Sequence, residues 1–377
     1  MIALMCLIGA PGFASAVTPM LAAGSSSTVA LKSDGILVAW GNGLLGDGTT
    51  MSSATPVAVS GITGVAAVVT GRFHVLALKD DGTVVAWGNN YYGELGDGTT
   101  TNRSSPVAVA QLTGVVAVAA SNYHSMALKS DGTVVAWGRN ANGELGDGST
   151  TDRLNPTAVP GLTGVVAIAA GASHAVALKS DGTVVAWGSN YAGQLGDGSM
   201  TDRFNPSAVP GLTGVVAVAA GVNHSVALKS DGTVVTWGLN VFGGLGDGTT
   251  TNRLSPVAVA GLSGVAAVAA GGWFTMALKS DGTVVAWGYN IYGGLGDGTT
   301  TNRLSPVAAA GLTGVVAVAN GDSHSVALKS DGTVWAWGDN SSAQLGTTST
   351  NHSMPAAVTG DLNLGVAVPT EGVRNFV

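Results

Sequence analysis

Little in this sequence could carry catalytic or redox chemistry. There is one cysteine, Cys6, close to the N-terminus, so neither a disulfide framework nor a Cys-ligated metal can form. Charged residues make up only 10% of the chain, the net charge is −7, and no basic tail is present. That excludes the electrostatic footprint of a nucleic-acid binder. No apolar run reaches the length of a membrane span. What the chain has in abundance is Gly, 58 of 377 residues, beside 46% hydrophobic residues. That composition is too apolar for disorder and suits a turn-rich β protein.

The N-terminus runs Met1-Ile-Ala-Leu-Met-Cys-Leu-Ile-Gly-Ala10 and then Pro-Gly-Phe-Ala-Ser-Ala16. An apolar core followed by Ala14-Ser15-Ala16 predicts a secretory signal over residues 1–16, with the mature chain starting near Val17. The protein is therefore expected to be secreted or held at the cell surface. An irregular first strand is the other reading of this segment.

Self-comparison dominates everything after residue 16. The dipeptide Trp-Gly begins at Trp40, Trp87, Trp137, Trp187, Trp237, Trp287 and Trp337, spaced by 50 residues except for a first interval of 47. A fixed period of this length marks a repeat architecture. In the unit between Gly114 and Pro160, four strands are expected. Val115 to Ala120 is a short apolar run, and His124 to Lys129 ends at the hairpin signal Ser130-Asp131-Gly132. Thr133 to Trp137 follows, and a short edge strand is expected to begin after Pro156.

Four antiparallel strands repeated seven times predict an all-β, seven-bladed β-propeller of four-stranded blades, one domain over residues 17–377. The Thr-Val-Val-Ala-Trp strands are apolar on both faces, so neighbouring blades must cover them. Small Ala and Val side chains place the first strand at the crowded axis. Pro355-Ala-Ala-Val358 completes blade seven. The ring can close through Thr18 to Ala23 or through Gly365-Val-Ala-Val368.

The pattern Gly-x-x-His-Ser-x-Ala-Leu, Gly-x-Val-x-x-Trp-Gly, Gly-x-Leu-Gly-Asp, Arg-x-x-Pro-x-x-Val resembles the repeats of the regulator of chromosome condensation family over residues 18 to 360. The resemblance implies a seven-bladed propeller used for binding. Founding members act in nucleotide exchange and chromatin binding. Without a basic tail or a singular exchange site here, those activities are not transferred. A plant ultraviolet-B photoreceptor of the same fold clusters tryptophans in Gly-Trp-Arg-His-Thr motifs. The matching stretch here, Gly271-Gly-Trp-Phe-Thr275, has Trp273 one place later and is not repeated. In composition and expected compartment the chain is similar to bacterial-type secreted members, which include β-lactamase inhibitors.

His74, His124, His174, His224 and His324 occupy one position per blade, replaced by Ser27 and Phe274 in the other two. Equivalent positions around a ring diverge, so these are expected to pack or to hydrogen-bond a neighbouring blade rather than bind metal. The recurring Leu-Gly-Asp-Gly-Thr loop lacks the alternating ligands of a calcium loop, and its Asp is expected to hold a turn. Arg103, Arg153, Arg203, Arg253 and Arg303 are expected to partner it, and the lysines before each Asp-Gly turn to form a solvated rim. No cofactor or metal is expected.

Variation among the seven copies concentrates at two places: the pair inside Gly-x-x-His and the stretch after Trp-Gly. Strand parity puts both on one face of the ring. All six tyrosines lie there. The candidate ligand-binding residues are Arg72, Phe73, Tyr91, Tyr92, Tyr123, Arg139, Tyr191, Phe242, Trp273, Tyr289 and Tyr292. Rigid aromatics among small polar neighbours have the composition of a paratope. The expected function is a non-enzymatic, extracellular binding module for a protein or glycan, acting as a monomer. A propeller enzyme of lyase or glycosidase type, and a purely structural repeat protein, are the alternatives. Of the charges, Arg72, Arg139, Glu94, Glu144, Asp322 and Asp339 break the symmetry, and they are spread over different blades, two, three and seven.

Overall fold

The computed structural model describes residues 17–348, 350–358 and 362–365; the expected signal segment lies outside them. Seven four-stranded antiparallel sheets follow one another, each built from four strands consecutive in sequence. Blade one comprises Met20–Ala23, Ser27–Leu31, Leu37–Gly41 and Ser53–Ala58. Blade three comprises Val115–Ala120, His124–Lys129, Val134–Gly138 and Arg153–Ala158. Blade seven, the last, ends with Val334–Gly338 and His352–Ala357.

The sequence explains each element. β-branched and small apolar residues favour extended chain, and Asp131 holds the central hairpin. Its carboxylate accepts the Thr133 backbone N–H at 3.0 Å, while Gly132 takes the positive φ of 78° that the turn requires. The outer strand departs from expectation. It begins at Arg153, not after Pro156. Pairing with the third strand slips between Ala136 and Gly138, leaving three residues opposite one. Pro156 lies in that slip, where its missing N–H removes no ladder bond.

Seven buried clusters make up the core, and each straddles two adjacent blades. One joins Met126, Leu128 and Ala136 of blade three to Ile168, Ala177 and Trp187 of blade four. Each cluster is topped by an aliphatic residue from the inter-blade linker, such as Leu112, Leu162, Leu212, Leu262 or Leu312. The blades therefore share their cores, as expected from strands apolar on both faces.

The ring closes between blade seven and blade one without exchanging a strand. Met20–Ala23 is the first strand of blade one. Leu364 is fully buried in the junction with Leu21, Trp40, Val326 and Leu328, in the role of the linker leucines. Its N–H donates to the Gly332 carbonyl and its carbonyl accepts from Ser33. Residues 366–368 of the alternative closing strand lie outside the described residues.

Candidate binding face

Two loops of each blade meet on one face. After Trp-Gly the chain turns back over the preceding hairpin, and the Arg139 N–H donates to the Tyr123 carbonyl at 2.9 Å. The same bond joins Asn89 to Phe73 and Tyr289 to Trp273. Glycine is required in the dipeptide. Gly138 has φ 100°, and a Cβ there would lie 2.6 Å from the Tyr123 carbonyl oxygen. The expected pairing of the two variable loops is thus a backbone contact.

The longer loop is built on an asparagine. Asn140 Nδ2 donates to Asp147 Oδ1 and to the carbonyls of Ser149 and Thr151, each at 3.1 Å. Its Oδ1 accepts the Leu145 N–H. Asp147 accepts the Ser149 N–H at 2.9 Å and pairs with Arg153 at 2.6 Å. Burial alone would raise this carboxyl, but the hydrogen bonds from Ser149 and Arg153 outweigh it and hold the group below the usual carboxylate range. The Asp turn and its Arg partner match the sequence reading. The asparagine hub was missed, although Asn recurs at this place in six copies.

The loop ends on a residue whose side chain folds back. Glu94 accepts the Tyr92 N–H at 2.9 Å and Glu144 the Asn142 N–H at 2.6 Å. Gln194 and Gln344 do the same for Ala192 and Ser342. Glu94 and Glu144 are almost fully buried, and burial pushes both carboxyls above their usual range.

The same residues tie blades together. The indole N–H of Trp137 donates to the Glu94 carbonyl of the preceding blade at 2.8 Å. Ser125 donates to that carbonyl too, at 2.8 Å, and its oxygen lies 2.9 Å from His74 Nε2. Since the hydroxyl proton is committed to the carbonyl, His74 must carry its proton on Nε2. His174 and His224 meet Ser225 and Thr275 in the same way, each at 3.0 Å, and His324 meets Thr28 across the ring closure. Burial pushes all five histidines down to about 3 or 4, so they are neutral. Four of them, His74, His174, His224 and His324, are structural inter-blade ties. Among the described residues no His/Cys/Asp/Glu group gathers that could hold a metal ion.

On this frame the candidate aromatics form two clusters. On blades two and three Tyr92 and Tyr123 pack edge to face, centroids 5.4 Å apart, with the Arg139 guanidinium 6.0 Å over Tyr92. Arg139 also pairs with Glu144 at 3.2 Å. On blades five and six Tyr289 is the hub, 5.0 Å from Phe242, 5.5 Å from Trp273 and 6.2 Å from Tyr292. Phe242 also meets Trp273 at 5.8 Å. Between the clusters, at the axis, Arg72 covers Phe73 at 5.1 Å and reaches over blade one to Asp322 at 3.6 Å. Tyr91 and Tyr191 touch no other ring among the described residues and stand 65% and 53% exposed. The fold thus gathers nine of the eleven candidates into two clusters and an axial pair, and leaves those two tyrosines apart.

With this geometry in place, the relationship to known proteins is clear. The family model described as RCC1-like domain matches residues 11–266, more than half of the chain. The chain belongs to the RCC1-like domain family. Models of the regulator of chromosome condensation (RCC1) repeat match residues 265–293 and 315–344, and residues 281–328. Among solved structures it is similar to Prp20p from Saccharomyces cerevisiae, with 26% identity, a TM-score of 0.77, and coverage of 87% of this chain and 86% of that one. That RCC1-like structure was described with its binding to Gsp1p and histones. Human WBSCR16 is similar at 25% identity and a TM-score of 0.73, covering 83% of this chain and 87% of that one. No curated protein matches the sequence.

Proposed function

We propose that this RCC1-like propeller is an exported, non-enzymatic recognition module that binds a partner through the face carrying the two aromatic clusters. The observation that carries the reading is the segregation of the aromatics. Every tyrosine of the chain, together with Phe73, Phe242 and Trp273, stands on the two loops that vary between blades. The opposite face repeats one Lys–Asp turn with little change. Aromatic side chains give large contact area at low entropic cost. A yeast relative of the same fold binds proteins, which supports a protein partner over a glycan. The compartment rests on the apolar N-terminus and Ala14-Ser15-Ala16, and the chain is proposed to act as a monomer of the bacterial-type secreted kind.

The test is capture from the native medium on immobilised protein. Tyr92→Ala and Trp273→Ala should each weaken the captured complex by about 2 kcal/mol, or some thirtyfold, as buried anchors do. Lys129→Ala and Lys229→Ala, on the opposite face, should leave it unchanged. The reverse pattern places the site on the uniform face. N-terminal sequencing of natively expressed protein should begin near Val17; an intact Met1 ends the export proposal.

A further inference from the structure

The two aromatic clusters differ in what lies beneath them. In blades two, three, four and seven a Glu or Gln side chain folds back onto the N–H two residues earlier: Glu94 on Tyr92, Glu144 on Asn142, Gln194 on Ala192 and Gln344 on Ser342. In blades five and six that residue is Gly244 or Gly294. Neither glycine has a positive φ, so backbone conformation does not demand glycine there. Phe242 and Tyr292 accordingly keep N–H groups with no acceptor among the described residues. These two donors lie within the aromatic cluster of Phe242, Trp273, Tyr289 and Tyr292.

Charge changes in step. Blades two to four carry Glu94, Glu144, Asp152 and Asp202 in these loops, and the matching positions of blades five and six are Gly244, Gly294, Asn252 and Asn302. An acidic group approaching the face meets fewer carboxylates on blades five and six, where the remaining loop carboxylates, Asp247 and Asp297, are each paired with an arginine, Arg253 and Arg303. The protein itself shows which chemistry fits an N–H of this kind. Four of its own loops place a carboxylate or carboxamide oxygen on it, at 2.6–3.0 Å.

We propose that blades five and six take an acidic side chain, Asp or Glu, of a partner protein, whose carboxylate accepts the Phe242 or Tyr292 N–H while a flanking apolar residue packs on Trp273 and Tyr289. The proposal rests on the recognition reading above and names the partner chemistry for one half of that face. Carboxylate–amide hydrogen bonds are charge-assisted, and the aromatic floor excludes water from them.

The test follows the amide resonances of Phe242 and Tyr292 in the intact protein by ¹⁵N NMR during titration with three probes: acetyl-Leu-Glu-Leu-amide, acetyl-Leu-Lys-Leu-amide and cellotetraose. The Glu peptide should shift both amides and the Trp273 indole, and bind at least about tenfold tighter than the Lys peptide. The double variant Gly244→Gln/Gly294→Gln supplies an internal competitor and should abolish the shifts. If it does not fold, each single variant is read at its own amide. Equal response to both peptides, response to cellotetraose instead, silence of both amides at millimolar peptide, or full response in the Gln variant each overturn the proposal. In capture from the native medium, a partner lost with Trp273→Ala but kept by the Gln variant sinks this proposal alone. A partner kept by both sinks the aromatic-face reading for blades five and six.

Discussion

At the scale of single residues, the histidines show how a repeated polar group becomes structural. Each tie needs a hydroxyl on the next blade, and blade four lacks it. His124 faces Ala175, and its Nε2 is buried without a partner. Its Nδ1 instead lies 2.7 Å from Ser121 Oγ. Ala175→Ser should restore the tie and raise stability by about 1 kcal/mol, the net worth of a buried hydrogen bond; a denaturation midpoint that falls instead would refute this. The five histidines also set the acid limit. Burial pushes all five down to about 3 or 4, from an ordinary histidine value of 6.5. The unfolded chain therefore takes up protons first. Stability from these groups is complete above pH ~6.5 and is lost as pH falls from there towards 4. His224→Phe, which copies the residue found at Phe274, should reduce the pH dependence of unfolding free energy by about one proton, roughly 1.4 kcal/mol per pH unit. An unchanged slope in urea titrations between pH 6 and 4.5 would contradict it. In the Asp–Arg turns burial would raise the carboxyls, but hydrogen bonds from the turn hydroxyl and the arginine outweigh it and hold them below the usual carboxylate range.

At the scale of elements, the loop after Trp-Gly depends on one side chain. Asn190 donates to Asp197, Ser199 and Thr201 and accepts from Leu195. Asn190→Ala removes all of these bonds together and orphans buried backbone groups. It should cost at least about 2 kcal/mol and raise amide exchange across residues 190–202; a loss below about 0.5 kcal/mol would mean the loop is held by its ends. The tryptophans give a paired comparison. Trp137 donates its indole N–H to Glu94, but Trp87 Nε1 is buried without an acceptor, because the blade-one loop is three residues shorter. Both rings are fully buried. Trp→Phe should therefore cost at least about 1 kcal/mol less at 87 than at 137, since only at 137 is a made bond lost. Equal losses in chemical denaturation would count against the inter-blade bond.

At the scale of the whole ring, the weakest polar junction is not where the chain ends meet. Blade seven and blade one are joined by His324–Thr28, by Trp40 donating to Gln344, and by Leu364. Blades one and two have Ser27 at the histidine position, Val75 at the hydroxyl position, and the orphaned Trp87. Apolar packing of Val29, Leu45, Val59 and Val75 holds them together. Because each core straddles two blades, no blade can leave without exposing two of them. Unfolding should thus be cooperative, and deletion of a complete 50-residue repeat should lower stability or strain the ring. Leu364→Ala should cost about 2–4 kcal/mol and accelerate amide exchange first in blades one and seven; uniform exchange around the ring would show that the closing leucine is dispensable.

The sequence by itself determined the number of blades, the strands within each, the hairpin turns and the sidedness of the variable loops. These follow from periodicity and strand parity, which are local and repeat with every copy. It also placed the Asp–Arg turn, since both partners recur six residues apart, but started the outer strand four residues late because proline was read without the register slip that accommodates it. Only the tertiary structure decided which groups meet across blades. His74 and Ser125 are 51 residues apart, and Trp137 and Glu94 are 43 apart. No local pattern relates such pairs. The same holds for the split of the candidate face, where Tyr92 finds Tyr123 and Phe242 finds Trp273 while Tyr91 and Tyr191 stand alone. It holds too for the ring closure, where Leu364 takes over the place of a linker leucine. Contacts between blades depend on how far the ring turns per repeat, and the packing of whole sheets sets that angle.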